Sequence, residues 1–186
     1  ILISVKTAGI NPVDTYIVAG ANGYTATFPH TPGMNAAGEI IALGTNVSGF
    51  KVGQRVYCSG SITGTCAELV LASPPQVFPL PDALSFEQGA CLGTPYATAW
   101  RALFIRANCQ ASETVFIHGA SGGVGLAALQ LAKAAGCKVF ASASSKQGRA
   151  LLKQQGADLV VNHHDPKHYQ VLQEAGAIDV ILEMLA

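Results

Sequence analysis

The segment Thr114-Val-Phe-Ile-His-Gly-Ala-Ser-Gly-Gly-Val-Gly-Leu-Ala-Ala-Leu-Gln-Leu-Ala-Lys133 is the strongest indication of the fold of this chain. An apolar run reaches Ile117, glycines follow from Gly119 to Gly125, and an Ala- and Leu-rich helical pattern begins at once. This order predicts a strand, a tight turn and a helix whose first N–H groups are free to bind a phosphate. The stretch from Ala120 matches G-x-G-x-x-G with alanine at the first glycine position. The segment therefore indicates a dinucleotide site in an oxidoreductase.

Three more short apolar runs follow this segment, over Lys138–Ser142, Asp158–Asn162 and Ile178–Glu183. Helix-compatible stretches separate them. Strands that alternate with helices indicate βαβ units and a parallel sheet. In the doubly wound topology the four strands lie in the order 3-2-1-4, and ligands bind at their carboxyl ends. We therefore predict a Rossmann domain over residues 83–186.

The same residues also satisfy G-x-S-x-G, the nucleophile motif of α/β-hydrolases, with Ser121 as the nucleophile. That alternative needs an acid and then a histidine farther along the chain. Asp158 is the one downstream acid that clearly precedes the histidines, and it begins the strand that His163 follows. This arrangement is awkward for a triad, so we interpret Ser121 as a hydroxyl of the phosphate loop.

The turn after the second strand predicts which cofactor is bound. NAD enzymes place a carboxylate there for the ribose 2′-hydroxyl. Here the turn holds hydroxyls and the cations Lys146 and Arg149, and no acid. A carboxylate would repel a 2′-phosphate and cations attract one. The sequence favours NADPH, although either cation could instead be a solvated residue of a helix start.

Composition is that of an ordinary globular enzyme. The 186 residues are 49% hydrophobic and 12% charged, with a formal net charge of zero. Such a chain has no electrostatic footprint for nucleic acid and no apolar run of the roughly 18 residues that a membrane span needs. Five cysteines without a C-x-x-C pair favour free thiols in a reducing, cytoplasmic compartment.

The first 80 residues have a different pattern, in which Gly and Pro separate short apolar runs. These predict strands of a compact β domain, at Ile1–Thr7, Ala36–Leu43, Gly53–Cys58 and Ala67–Leu71. We expect the prolines from Pro74 to Pro81 to interrupt regular structure, and a helix to begin at Ser85 with a capping motif. The domain boundary is placed near Asp82, which gives a first domain over residues 1–82.

Several segments together resemble the zinc-free, zeta-crystallin-like quinone oxidoreductases of the medium-chain dehydrogenase/reductase superfamily. They are Ala8–Tyr16, Pro32–Gly33, Ala37–Gly38, Val52–Val56, Ala67–Glu68, Pro95–Leu103, His118–Ala128, Asn162–His163 and Glu183–Ala186. They span the chain in order and with compatible spacing. The resemblance implies that a GroES-like catalytic domain precedes the Rossmann domain.

The resemblance also implies roles for individual residues. Tyr16 matches a tyrosine beside the nicotinamide, and Ser144 and His163 match positions beside the adenosine end of the cofactor. The pyrophosphate loop matches Ser121, Gly122, Gly123 and Val124. Asn11 and Asp14 are candidates for the acceptor site, and each could equally cap local backbone groups.

No metal is expected from the resemblance. Zinc-dependent relatives use an early cysteine, a Gly-His-Glu segment and a four-cysteine lobe, whereas this chain has Ala8–Pro12 and Gly33–Asn35 at the first two places. A quinone is already electron-poor, so its reduction needs no Lewis acid. Catalysis would consist mainly of holding the acceptor against the nicotinamide.

The implied function is NADPH-dependent reduction of a quinone or another small electrophilic acceptor. Reduction of an alkenal or enone is the nearest enzymatic alternative, and a non-catalytic crystallin-like or RNA-binding role is another. Tyr24 is offset from a second active-site tyrosine of the family, which leaves the acceptor open. We expect the chain to be truncated at both ends, without the surface through which the parent protein would form a homo-oligomer.

Overall fold

The computed structural model describes residues 1–185, so Ala186, the last residue of the Glu183–Ala186 match, lies outside the described residues. The chain forms two compact units, Ile1–Thr94 and the part from Pro95 onward. The first unit extends past Asp82, where the sequence places the boundary. It does so because the helix after Ser85 packs on the first sheet, with Ala90 buried against Ala37 and Leu80.

The first unit is built on a five-stranded antiparallel sheet in the order β4-β1-β2-β3-β5. Its strands are β1 (Leu2–Gly9), β2 (Asn35–Ala42), β3 (Arg55–Ser59), β4 (Leu69–Leu71) and β5 (Val77–Pro79). The strands contribute fully buried residues to one apolar core, among them Ile3, Ile40, Val56 and Val70. The four strands predicted in this region are confirmed.

The strand β5 and the helix α1 (Pro12–Ala19) go beyond the sequence prediction. The expectation that prolines interrupt all regular structure after Pro74 was wrong, because β5 lies at the sheet edge, where Pro79 breaks no central ladder. The helix α1 is only eight residues long, which is too short for an apolar period to show. It ends at Gly20 with φ +64°.

The predicted capping motif at Ser85 is confirmed. Ser85 Oγ accepts a hydrogen bond from the Gln88 N–H (3.2 Å), and Gln88 Oε1 accepts one from the Ser85 N–H (2.9 Å). This reciprocal pair begins α2 (Phe86–Ala90). Then follow α3 (Gly93–Trp100) and a π-helical stretch, Arg101–Arg106.

The second unit is a parallel four-stranded sheet with helices between successive strands. Its elements are β6 (Thr114–His118), α4 (Gly123–Ala134), β7 (Lys138–Ser142), α5 (Lys146–Gln154), β8 (Leu159–Val161), α6 (His168–Ala175) and β9 (Val180–Glu183). The strand order β8-β7-β6-β9 is the predicted 3-2-1-4 order. The fully buried Ile117, Leu129, Val139 and Leu152 hold α4 and α5 to the sheet.

The strand β9 is the last strand of this sheet within the described residues, and it pairs with β6. Its Ile181 side chain is 65% exposed. Across residues 1–185, no helix combines the length and the apolar character that crossing a membrane requires.

Candidate dinucleotide-binding site

The turn from β6 into α4 brings helix and strand together very closely. Gly119 has φ +74°, which a residue with a side chain rarely adopts. A Cβ atom added at Gly125 would lie 2.6 Å from the Ala120 Cα and O atoms. Only glycine therefore allows the first turn of α4 to lie against this loop.

The N-terminus of α4 is open. Gly122 is the N-cap residue, and no side chain caps the helix there. The first helical hydrogen bond runs from the Leu126 N–H to Gly122 O (2.9 Å), so the N–H groups before it lack helical partners. A Cβ atom added at Gly122 would meet nothing within 4 Å. Unpaired N–H groups beside open space, at the positive end of a helix, fit the diphosphate of a dinucleotide.

The predicted loop residue Ser121 lies beside the turn that follows β7. A Cβ atom added at Gly148, in the first turn of α5, would come within 3.0 Å of Ser121 Cβ and Oγ. Ser145 caps α5, since its Oγ accepts the Gly148 N–H at 2.9 Å. The structure thus brings together the phosphate loop and the segment around Ser144, which the sequence assigned to the ribose end of the cofactor.

The two cations of this turn have different surroundings. Arg149 donates to the main-chain oxygens of Ala143 (3.2 Å) and Ser144, so its guanidinium fixes the turn. Lys146 is exposed and makes no ion pair within the described chain. No Asp or Glu occurs between Lys138 and Ala157. The turn therefore carries two positive charges without a compensating carboxylate.

Polar residues at the carboxyl ends of the strands meet along one edge of the sheet. His118 ends β6 and Glu183 ends β9, and the parallel register places them opposite each other. The His118 Nδ1 and Glu183 Oε2 atoms are 2.6 Å apart. This hydrogen bond, together with the Leu185 N–H, holds the pKa of the Glu183 carboxyl below its usual value.

His163, after β8, completes this edge. Its ring lies edge-on to those of His118 and His164, with centroid distances of 5.2 and 4.8 Å. Burial lowers the pKa of His163, and the neighbouring His164 and His118 lower it further. The ring is therefore mainly neutral near pH 7.

The Nδ1 atom of His163 contacts Ser142 Oγ at 3.2 Å. The histidine is thus paired with the serine that ends β7, and not with Ser121, as the hydrolase alternative would need. Sequence reasoning did not single out Ser142, His118 or Glu183. The available signal was their position, because each is the polar residue that ends an apolar parallel strand.

The remaining predicted residues, Asn11, Asp14 and Tyr16, lie on or at the start of α1 in the first unit. Asp14 is buried, and its Oδ2 accepts the Asn11 N–H at 2.7 Å. This is the local capping arrangement that the sequence left open as an alternative. Tyr16 is 39% exposed. Asp14 and Ile17 also line a cavity of about 630 Å³ within this unit.

Two buried polar atoms near the start of α1 are not hydrogen-bonded in the described part of the chain. Asp14 Oδ1 and Asn11 Nδ2 have no hydrogen-bond partner within the described residues. Among residues 1–185, no group of three or more His, Cys, Asp or Glu side chains is placed to hold a metal ion.

The lowered pKa of His163 predicts a pH-dependent stability of the second unit. The unfolded chain takes up this proton near the ordinary histidine pKa of about 6.5, whereas the folded chain resists it. The free energy of unfolding should therefore fall as the pH drops from 7 to 5.5. Urea unfolding followed by the fluorescence of Trp100, the single tryptophan, measures this.

The variant His163→Asn should show a weaker pH dependence over this range, and His30→Asn in the first unit should keep that of the wild type. The contribution of Glu183 does not interfere, because its lowered pKa restricts its effect to pH values below about 4.5. Equal pH dependence in the wild type and His163→Asn would contradict the prediction.

Comparison with known proteins supports the assignment of both units. Residues 1–89 match the alcohol dehydrogenase GroES-like domain, and residues 123–186 match the zinc-binding dehydrogenase domain. Quinone oxidoreductase from Mus musculus is 46% identical over 191 residues, which cover 100% of this chain and 58% of that protein. The chain thus spans a little under three fifths of the length of this relative.

Solved structures show the same fold. The quinone oxidoreductase of Coxiella burnetii is 32% identical with a TM-score of 0.83, covering 100% of this chain and 59% of that one. A mycobacterial protein solved in complex with NADPH is 26% identical with a TM-score of 0.84, covering 97% and 57%. The predicted combination of a GroES-like and a Rossmann domain is confirmed. The chain belongs to the medium-chain dehydrogenase/reductase superfamily and is similar to its quinone oxidoreductases.

Proposed function

We propose that this protein is an NADPH-dependent quinone reductase. The observation that carries the proposal is the open, uncapped N-terminus of α4 beside a cationic turn without a carboxylate. The first feature binds a diphosphate and the second favours a 2′-phosphate. The similarity to quinone oxidoreductases supports a quinone as the acceptor.

A bound nicotinamide would supply a hydride to the acceptor, which also takes up a proton to become a hydroquinone. The residues of this chain would hold and orient the two partners. We propose that Ser121, Gly122, Gly123 and Val124 bind the diphosphate. Ser144 and Lys146 would bind the ribose 2′-phosphate, and His163 would lie at the adenine end.

Tyr16 is proposed to lie by the nicotinamide, in keeping with its exposure on α1. The cavity lined by Asp14 and Ile17 has a volume typical of small-molecule sites, about 630 Å³. We propose that it belongs to the acceptor side. Because Asp14 caps α1, its role there would be to hold the helix in place rather than to react.

We propose that hydride transfer proceeds without zinc. The places where zinc-dependent relatives carry their ligands are occupied here by residues of Ala8–Pro12 and Gly33–Asn35, whose side chains include neither cysteine nor histidine. Asn35 Oδ1 instead accepts hydrogen bonds from Thr94 N (3.2 Å) and Oγ1 (3.0 Å), which gives it a structural partner within the first unit.

Two glycine variants separate cofactor binding from folding. Gly122→Ala should fold normally, because its φ is −82° and an added Cβ has open space, with a capping cost of about 1 kcal/mol at most. It should nevertheless weaken NADPH binding at least tenfold, since the methyl group occupies the space in front of the helix. Fluorescence titration measures the affinity.

Gly125→Ala is the matched variant, in which we expect the stability of the fold itself to decrease. The 2.6 Å approach to the Ala120 backbone predicts a loss of roughly 2 kcal/mol or more in the free energy of unfolding. Wild-type NADPH affinity in Gly122→Ala would contradict the proposed diphosphate site.

Cofactor choice is tested at Lys146. Lys146→Ala should lower the affinity for NADPH roughly tenfold, about 1.4 kcal/mol, because one charge-assisted contact to the 2′-phosphate is lost. The affinity for NADH should stay within about twofold. Arg149 is a poorer test, since its removal would also release the turn.

Lys153→Ala provides the control, because Lys153 is exposed on the same helix but roughly 10 Å farther along its axis. If the wild-type chain bound NADH as tightly as NADPH, or if Lys146→Ala weakened both equally, the proposed 2′-phosphate pocket would be refuted.

The acceptor is tested by following NADPH oxidation with 1,4-benzoquinone and, separately, with a simple enone. We expect turnover with the quinone. Tyr16→Ala should reduce kcat/KM at least tenfold without a change in Tm, and Tyr24→Ala, at a similarly exposed tyrosine, should change it little. Turnover of the enone alone would replace quinone reduction by enone reduction as the function.

A further inference from the structure

Ser142 lies outside the phosphate loop but makes two hydrogen bonds to the turn that leads into it. It ends β7 and is fully buried, with 0% exposure. Its Oγ accepts the Gly119 N–H at 3.0 Å, and its main-chain oxygen accepts the Ala120 N–H at 2.8 Å. One residue of β7 thus accepts hydrogen bonds from two consecutive amides of the turn that follows β6.

The hydroxyl proton of Ser142 must point elsewhere, because its oxygen already accepts from Gly119. Among the described residues, the other hydrogen-bonding contact of this buried hydroxyl is with His163 Nδ1, at 3.2 Å. This contact fits a Ser142 hydroxyl that donates to an unprotonated Nδ1, with the proton of the histidine on Nε2. The neutral state of His163 that burial and the neighbouring histidines favour is the state that this bond requires.

We propose that Ser142 is a positioning residue for the cofactor: its hydroxyl, oriented by His163, holds the Gly119 amide and so sets the turn that presents the α4 N-terminus. This proposal rests on the proposed binding of NADPH by that helix. His163 would then have a second role besides its proposed contact with the adenosine end of the cofactor, since it acts on the turn after β6 through Ser142 and Gly119.

The chain of contacts explains why a serine stands at this place. An apolar residue would leave the Gly119 N–H without a partner in a partly buried turn, and an amide that is unpaired away from water is costly. The Ala120 contact uses the main chain and would survive substitution. Removing the hydroxyl alone should therefore loosen Gly119 and leave the rest of the turn attached.

The first measurement is made on the unsubstituted protein without cofactor. The ¹⁵N chemical shifts of the His163 ring report which nitrogen carries the proton. We expect protonation of Nε2 and an unprotonated, hydrogen-bonded Nδ1. A proton on Nδ1 would overturn the proposal, and this test stands even if a variant fails to fold.

The second measurement is amide hydrogen exchange of Gly119 in Ser142→Ala, Ser142→Thr and the control Ser48→Ala, an exposed serine of the first unit. Exchange at Gly119 should speed up at least tenfold in Ser142→Ala, and Ser142→Thr, which keeps the hydroxyl, should restore slow exchange. His163→Ala should speed up exchange in the wild-type background but add little to Ser142→Ala, because both act through one hydroxyl.

NADPH titration completes the test. The dissociation constant should rise about tenfold in Ser142→Ala and return toward the wild-type value in Ser142→Thr. Unchanged Gly119 exchange in Ser142→Ala would overturn the proposal, as would faster exchange with unchanged affinity. A wild-type chain that bound no NADPH would instead refute the proposed function, and the exchange data would still show whether Ser142 holds the turn.

Discussion

The close approach of α4 to the turn after β6 is the constraint on which the second unit depends. At Gly125 a single added Cβ atom would stand 2.6 Å from the backbone of Ala120, so helix and loop are too close for any side chain at this position. This proximity places the positive end of the helix at the carboxyl edge of the sheet. It also leaves the first N–H groups of the helix as the natural partners for an anion. The helix cannot be moved back without opening the core around Leu129 and Ile117.

The same edge gathers the side chains that adjust the site. Parallel strands end together, so residues far apart in sequence, such as His118 and Glu183, become direct neighbours. The turn after β7 contributes in two ways, because Arg149 fixes its backbone while Lys146 leaves a charge exposed. One positive charge is thus used to build the turn and the other remains available for a ligand. Sequence alone gave both residues the same role.

The first unit is stabilised by different interactions. Its sheet is antiparallel and its short strands are held by a small apolar core, with capping contacts that begin the helices at Asn11 and Ser85. Asp14 is an example of a capping residue that, from the sequence, was also a candidate for the acceptor site. Its carboxylate is buried, yet one oxygen accepts the amide that precedes α1. Tyr16, on the same short helix, remains exposed and is positioned by this cap.

The succession of strands and helices after Thr114, the 3-2-1-4 order and the glycine turn could all be predicted from the amino-acid sequence. These follow from local rules: apolar runs form buried strands, and glycine permits positive φ and close packing. The sequence also predicted the strands before Leu71 and the cap at Ser85. It missed α1, which is too short to show a period, and β5, because proline is tolerated at a sheet edge. Which polar groups contact one another depends on the folded chain and could not be predicted from the sequence. The pairing of Ser142 with Gly119 and His163 joins three separate segments, and no local pattern encodes it, because the distance between strand ends is set by the register of the whole sheet.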